Sequence, residues 1–302
     1  MIHPLDPQSE IFLTYLSAAK TRADRAQQEI SSGRRIRNVS DDPSQVPLLV
    51  ETRSDLREME QIQSNLGRVK GEVDIAEGVL RDSAEVLDRV QVLGAQGAGT
   101  TATAANRAVL AGEVNALLEQ LVQASRTTVA GRFIFSGDAD DTVPYTFDVT
   151  QQPYPVSAYQ GTSATRQIMH PSGTLFSIAH TSQEIFDNVD PMRNVFQSVN
   201  GLRVALESND IAAIHTAMGA VRGAADHVNN ELSWYGTVQS QVNEGVDFGH
   251  RQELRLRTQL SAIEDADLTE SILELQQAQM QQQSALSVQA RVPRTSLFDY
   301  LV

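Results

Sequence analysis

Six histidines are the first candidates for chemistry: His3, His170, His180, His215, His227 and His250. A helical zinc site needs two imidazoles three or four residues apart, so that both reach one ion. No two of the six are so spaced, and no HExxH occurs. Cysteine is absent, which excludes disulfides, thiol catalysis and thiolate-held metals. No Gly-x-Ser-x-Gly elbow and no GxxxxGK[ST] loop is found. Gly94, Gly97 and Gly99 lack the order and the preceding strand of a dinucleotide fingerprint, so they read as a turn. Asp41 and Asp42 stand without a third ligand, and so read as a helix start with Pro43 rather than a metal pair. Asp138, Asp140 and Asp141 are too few for calcium and read as a polar turn. Trp234 lies beside a helical seam and reads as packing. No catalytic, cofactor-binding or metal site is expected, and the chain reads as a non-enzyme.

Charge and length narrow the classes further. The 302 residues carry a net charge of -14, against the basic surface that nucleic acid requires. No apolar run is long enough to span a membrane, and no basic start followed by an apolar block marks a secretory signal. Proline partitions the chain. None lies between Pro47 and Pro144 or between Pro191 and Pro293, whereas Pro144, Pro153, Pro155 and Pro171 cluster. Since proline breaks helix interiors, the map is long helices, a turn-rich middle, then long helices.

Apolar periodicity places the elements. The first helix ends at Ser31-Ser32-Gly33, with glycine as its C-cap. A second runs from about Pro43 to about Leu93 on the seam Met59, Ile62, Leu66, Val69, Val73, Ala76, Leu80, Leu87 and Val90. A third spans about Ala104 to Ala130 and folds back on the second. Gly131–Gly137 switches to period two around Phe133 and Phe135 and predicts a strand. Further strands are expected at Tyr145–Val149, Thr165–Met169 and Thr174–Ile178. Helices resume at Pro191 and break at Ser208-Asn209-Asp210, which starts the next; from there a seam through Met218 to Ile263 predicts one helix of about 55 residues, about 80 Å long. Its phase slips at Glu264-Asp265-Ala266-Asp267, where a change of packing partner is expected.

The termini show the same need at opposite ends. Phe12, Leu16, Ala19, Ala23, Ala26 and Ile30 form a heptad seam whose small centre permits close approach. Thr269–Ala290 is helix-permissive, with Ile272, Leu275 and Leu286 apolar and almost no charge elsewhere. The two ends are expected to pair, then to associate with other copies. The alternative is two amphipathic helices packed on one domain. The candidate assembly interface is Phe12, Leu16, Ile30, Ile272, Leu275, Leu286, Leu297 and Leu301. The fold class is mainly α: long coiled-coil-like helices from both termini forming a rod-like bundle, with a small β-rich insertion. Five segments are expected. They are an N-terminal helix and connector (1–43), two bundle halves (44–130 and 189–267), a β-rich outer insertion (131–188) and a C-terminal helix (268–302). Replacing residues 140–180 by a flexible linker is expected to leave the helices folded.

Four motifs carry a resemblance. Ser31-Ser32-Gly33-Arg34-Arg35-Ile36 followed by Ser40-Asp41-Asp42-Pro43 resembles the N-terminal signature of flagellins and flagellar hook-associated proteins. Ile263-Glu264-Asp265-Ala266-Asp267-Leu268 resembles their C-terminal signature. Gly131–Gly137 and Ser296–Leu301 are similar to the FlgL-like family of hook–filament junction proteins rather than to flagellin. The resemblance implies a structural subunit between a FlgK-like junction protein and the flagellin filament. It implies a flagellin-like fold, self-association, and export to the cell exterior through the flagellar type III channel with a FlgN-like chaperone. A filament-forming flagellin is the alternative.

Overall fold

The structure, a computed structural model, describes residues 7–291. Leu297 and Leu301, and His3, lie outside the described residues. Helix α1 (Pro7–Ser32) ends where the sequence places its cap. Gly33 adopts φ +70° and its N–H donates to the Glu29 carbonyl at 2.8 Å, a left-handed geometry that glycine takes without cost.

Helix α2 (Val46–Ala98) starts later and ends later than expected. Its predicted start is spent on a turn. The Asp41 carboxylate accepts the N–H groups of Arg37 (2.9 Å) and Asn38 (2.8 Å), and the Asp42 carboxylate accepts the Ser44 hydroxyl (2.7 Å). At the other end Gly94 and Gly97 lie inside the helix, not in a turn. Helix propensity gives way there to packing. A Cβ at Gly97 would stand 2.3 Å from the Leu206 side chain, and one at Gly94 3.0 Å from Met218. The glycines let α2 approach α5 (Val195–Glu207) and the start of α6 (Ile211–Glu264) closely.

Helix α3 (Ala104–Ser125), capped by Thr103, is shorter than expected. The chain turns instead through Ala130 and Gly131, both at positive φ, so that β1 (Thr128–Val129) pairs antiparallel with β2 (Arg132–Phe133). The strand expected over Gly131–Gly137 therefore stops at Phe133. Ile134 and Phe135 both turn inward, which strict alternation would forbid. Tyr145–Val149 contributes only a bridge from Phe147 to Val156, because the prolines around it prevent a ladder. The last two expected strands do form a hairpin, β3 (Gln167–Met169) with β4 (Leu175–Ser177). Helix α4 (Ser182–Phe186) opens with a capping box between Thr181 and Glu184. The α6 helix has 54 residues, close to the length read from its seam. After the break at the phase slip comes α7 (Leu268–Arg291).

The helices and loops divide into two compact units: residues 59–252, and the described parts of 1–58 with 253–302. The larger unit has one continuous apolar core. Leu66, Leu80 and Leu87 of α2, Val114 and Leu118 of α3, Val199 and Leu202 of α5, and Val221 and Val228 of α6 are fully buried in it. So are Phe135, Tyr145, Ile185 and Phe186 of the inserted segment. Phe186 stacks on Phe196 of α5 at 5.7 Å and meets Phe135 edge-on at 6.2 Å. The buried Arg203 of α5 donates to the Pro153 carbonyl (2.8 Å) and the Gln152 side chain (3.0 Å). The insertion thus shares the bundle's core. Against the expectation that replacing residues 140–180 by a linker leaves the helices folded, the exchange should destabilise the bundle, since it would strip the core of Tyr145 and of the loop that satisfies a buried guanidinium.

Two glycines of α2 should respond oppositely to substitution. Gly78 has open space around a Cβ, so Gly78→Ala should stabilise by about 0.5–1 kcal/mol through helix propensity. Gly97→Val should destabilise by about 1–3 kcal/mol through overpacking against Leu206. Urea unfolding of each variant checks both signs.

Candidate functional site

The two signature segments, distant in sequence, meet in space. Where α6 breaks, the Glu264 carbonyl accepts the N–H groups of Arg35 (2.7 Å) and Ile36 (3.3 Å). The Ala266 N–H donates to the Gly33 carbonyl at 3.0 Å. Arg34 and Asp265 thus form a short antiparallel bridge, and the Arg35 guanidinium reaches the Ile263 carbonyl at 2.9 Å. The Glu264 side chain, in a residue only 3% exposed, lies at the centre. One carboxylate oxygen is 2.7 Å from Arg34 Nε and the other 2.7 Å from an Arg53 terminal nitrogen. A buried carboxylate needs such partners, because desolvation without them is costly. Beneath the charges Ile36, Leu49 and Ile263 form a small core with Val46 and Leu260. We call this arrangement the clasp.

The connector is stiffened by its own aspartates. The N–H groups of Asn38 and Arg37 hold the Asp41 carboxyl below its ordinary value, and the Ser44 hydroxyl and Arg35 do the same for Asp42. A carboxylate held down in the folded state stabilises above its unfolded titration range, and this contribution is lost as pH falls through the lowered one. The turn between α1 and α2 therefore loosens in acid. On the far side of the clasp Asp267 caps α7, accepting the N–H groups of Thr269 (2.8 Å) and Glu270 (3.2 Å).

From the clasp, α1 and α7 pack along one another. The contact is made by small side chains: Ala19, Ala23 and Ala26 of α1 and Ser271 and Ala278 of α7 are buried. The Ser271 hydroxyl donates to Glu29 at 2.9 Å. Phe12, Leu16 and Ile30 flank this seam half-buried, and so does Leu275. Ile272 and Leu286 do not join it. They are 44% and 55% exposed; Leu273, Met280 and Val288 of α7 are exposed as well, and α1 exposes Ile11, Leu13 and Tyr15. Sequence reading sought the seam among the largest apolar residues. It missed Ser271 and Ala278, which the spacing Ser271–Leu275–Ala278 could have shown.

The remaining candidates have structural neighbours. Asp140 pairs with Arg132 at 3.4 Å, and the Asp138 N–H donates to the Thr162 hydroxyl at 2.8 Å. Trp234 stacks on His180. Among the described residues no group of three or more His, Asp or Glu side chains is arranged to hold a metal ion, and no helix is long and apolar enough to cross a membrane.

Replacing Glu264 by glutamine keeps the backbone bonds but removes the charge that both arginines face. Arg34 and Arg53 are themselves half-solvated. Glu264→Gln should therefore cost about 1–3 kcal/mol. Faster amide hydrogen exchange at residues 33–36 and 265–267, with unchanged exchange in residues 100–240, is the expected outcome.

Comparison with known proteins places this arrangement. The family model of the bacterial flagellin N-terminal helical region matches residues 8–140, and that of the C-terminal helical region matches residues 218–301. Flagellar hook-associated protein 3 of Escherichia coli strain K12 is 25% identical over 250 residues, covering 80% of this chain and 74% of that protein. A flagellin of Clostridium tyrobutyricum is 27% identical over 116 residues, covering 38% of this chain and 31% of that protein. The crystal structure of flagellar hook-associated protein 3 from Legionella pneumophila superimposes with a TM-score of 0.62 at 15% identity, covering 72% of this chain and 99% of that one. It shares the fold. The clasp unites the very segments that the N- and C-terminal models describe, and the chain belongs to the flagellin family of bacterial flagellar proteins.

Proposed function

We propose that this chain is a structural subunit of the bacterial flagellum, forming the FlgL-type layer between a FlgK-like hook-associated protein and the flagellin filament. The observation that carries this reading is the double character of the α1–α7 pair. Its small-residue seam holds the two helices of one chain together. Beside it Ile272, Leu273, Met280 and Leu286 of α7 are exposed, and none of the described residues of the chain covers them. Burying each large apolar side chain in an assembly contributes about 1.5–3 kcal/mol. We assign these residues, with Phe12, Leu16 and Ile30 at the seam's flanks and Leu297 and Leu301 beyond it, to association with neighbouring subunits. Export through the flagellar channel with a FlgN-like chaperone accompanies this reading.

The alternative, a filament-forming flagellin, would use the same terminal pair. A deletion strain separates the two. Loss of a junction subunit should leave hooks without filaments and intact flagellin shed into the medium. Loss of a filament subunit should leave no flagellin to shed.

Exposure now separates the interface residues into two groups. Leu286→Asp, at an exposed position, should leave the monomer's thermal melting unchanged and abolish assembly, because a carboxylate there meets a desolvation penalty only in the assembled layer. Leu275→Asp, half-buried between α1 and α7, should also raise hydrogen exchange in α1 of the monomer. Normal filament attachment in cells exporting the Leu286→Asp chain would overturn the assignment.

A further inference from the structure

Residues 178–186 close the inserted segment, and one cluster fastens them to α6. Glu231 of α6 places Oε2 2.6 Å from His180 Nδ1. The His180 N–H donates to the Tyr235 hydroxyl at 3.1 Å, and its ring stacks on Trp234 with centroids 3.7 Å apart and planes 17° from parallel. One turn before Glu231 lies His227, 7% exposed. Its Nε2 is 2.9 Å from the Glu184 carbonyl of α4, and its Nδ1 is 3.9 Å from Glu231 Oε1. The cluster thus spans the incoming loop, α4 and α6.

Proton bookkeeping follows from these partners. A carbonyl only accepts, so His227 Nε2 must carry a hydrogen. A neutral imidazole has one N–H, so neutral His227 turns an Nδ1 lone pair toward a carboxylate. A second proton makes that contact attractive. His180 behaves differently, since its neutral ring can still donate Nδ1–H to Glu231. Its ring lies against that carboxylate on one side and on the indole face on the other. The other charged groups nearby are engaged elsewhere. The Glu184 carboxylate accepts the Thr181 N–H (2.8 Å) and hydroxyl (3.0 Å), and Arg166 pairs with Glu72 at 2.8 Å. Burial pushes the Tyr235 phenol up, so it stays neutral.

We propose that His180, Glu231 and His227 form a proton-operated latch that holds residues 178–186 against α6. Charged imidazoles close it on both sides of Glu231. Loss of the His227 proton reverses one of the two contacts and loosens the strap. The latch acts within a single chain and is read on the monomer, so its test stands apart from the flagellar assignment.

Trp234 is the sole tryptophan, which gives a direct optical readout. An imidazolium stacked on indole quenches its fluorescence more than neutral imidazole does. Emission of the full chain should step up as the imidazole loses its charge with rising pH. His180→Gln should abolish the step. Hydrogen exchange of residues 178–186, corrected for the intrinsic pH dependence, should be a few-fold slower at the acid end than at the alkaline end, as expected for gaining one ion pair at 3.9 Å. His227→Gln keeps a donor for the Glu184 carbonyl but cannot titrate, so it should remove most of that difference, and so should Glu231→Gln. An unchanged difference in His227→Gln, or wild-type exchange that is not slower in acid, would overturn the proposal.

Discussion

Glu264 sits where a continuous helix of 54 residues gives way to another, with its side chain out of water. A carboxylate so placed must find positive partners, and it finds them in Arg34 and Arg53. Its backbone carbonyl, freed by the end of α6, needs donors too, and takes the N–H groups of Arg35 and Ile36. One residue therefore ties the α1–α2 connector to the α6–α7 break, segments separated by 228 positions at the Arg35–Ile263 contact. The polar ties and the small core of Ile36, Leu49 and Ile263 reinforce one another, because each excludes water from the other. Without this joint the two terminal helices would have only their own narrow contact to bring them together.

That contact is narrow by composition. Alanines and a serine bury little apolar area, so the α1–α7 pair gains close backbone approach rather than a large hydrophobic term. The larger apolar residues are left on the outside. An ordinary soluble helix would reverse this, burying the large residues and exposing the small ones. The reversal makes sense for a part whose partner is another subunit. The larger unit shows the usual order instead, with leucine, valine and phenylalanine fully inside. The chain thus divides between a self-sufficient core and a pair of ends whose apolar surface is incompletely used.

Much of this is legible in the sequence. The start at Ser208–Asp210 and the unbroken seam to Ile263 bound α6 closely, and the slip at Glu264–Asp267 marks the break, because periodicity of large apolar side chains is a direct image of burial. The pairing of the ends was legible as two seams lacking a core. What escaped reading depended on tertiary contacts. Gly94 and Gly97 look like a turn in one dimension and are helical because Leu202, Leu206 and Met218 press against them. Asp41 and Asp42 look like a helix cap; instead Asp41 binds the connector's own N–H groups, and Asp42 the Ser44 hydroxyl and the Arg35 guanidinium. The clasp could not be read at all as geometry. The resemblance marked both its segments, but nothing in their composition says that Glu264 meets Arg34 and Arg53. On α7 Leu275 lies along the seam, but Ser271 and Ala278 beside it were not legible, since small side chains carry no hydrophobic signal.

The central claim is that one face of the terminal pair closes within the chain and the other closes between chains. An electron cryo-microscopy reconstruction of a hook–filament junction containing this chain tests it most directly. The account predicts that each subunit keeps Ala19, Ala23 and Ala26 against its own Ser271 and Ala278, with the clasp intact, while Ile272, Met280 and Leu286 are buried against neighbouring subunits. A junction in which those three side chains face water, or in which α1 of one subunit packs on α7 of another along the alanine seam, would contradict it.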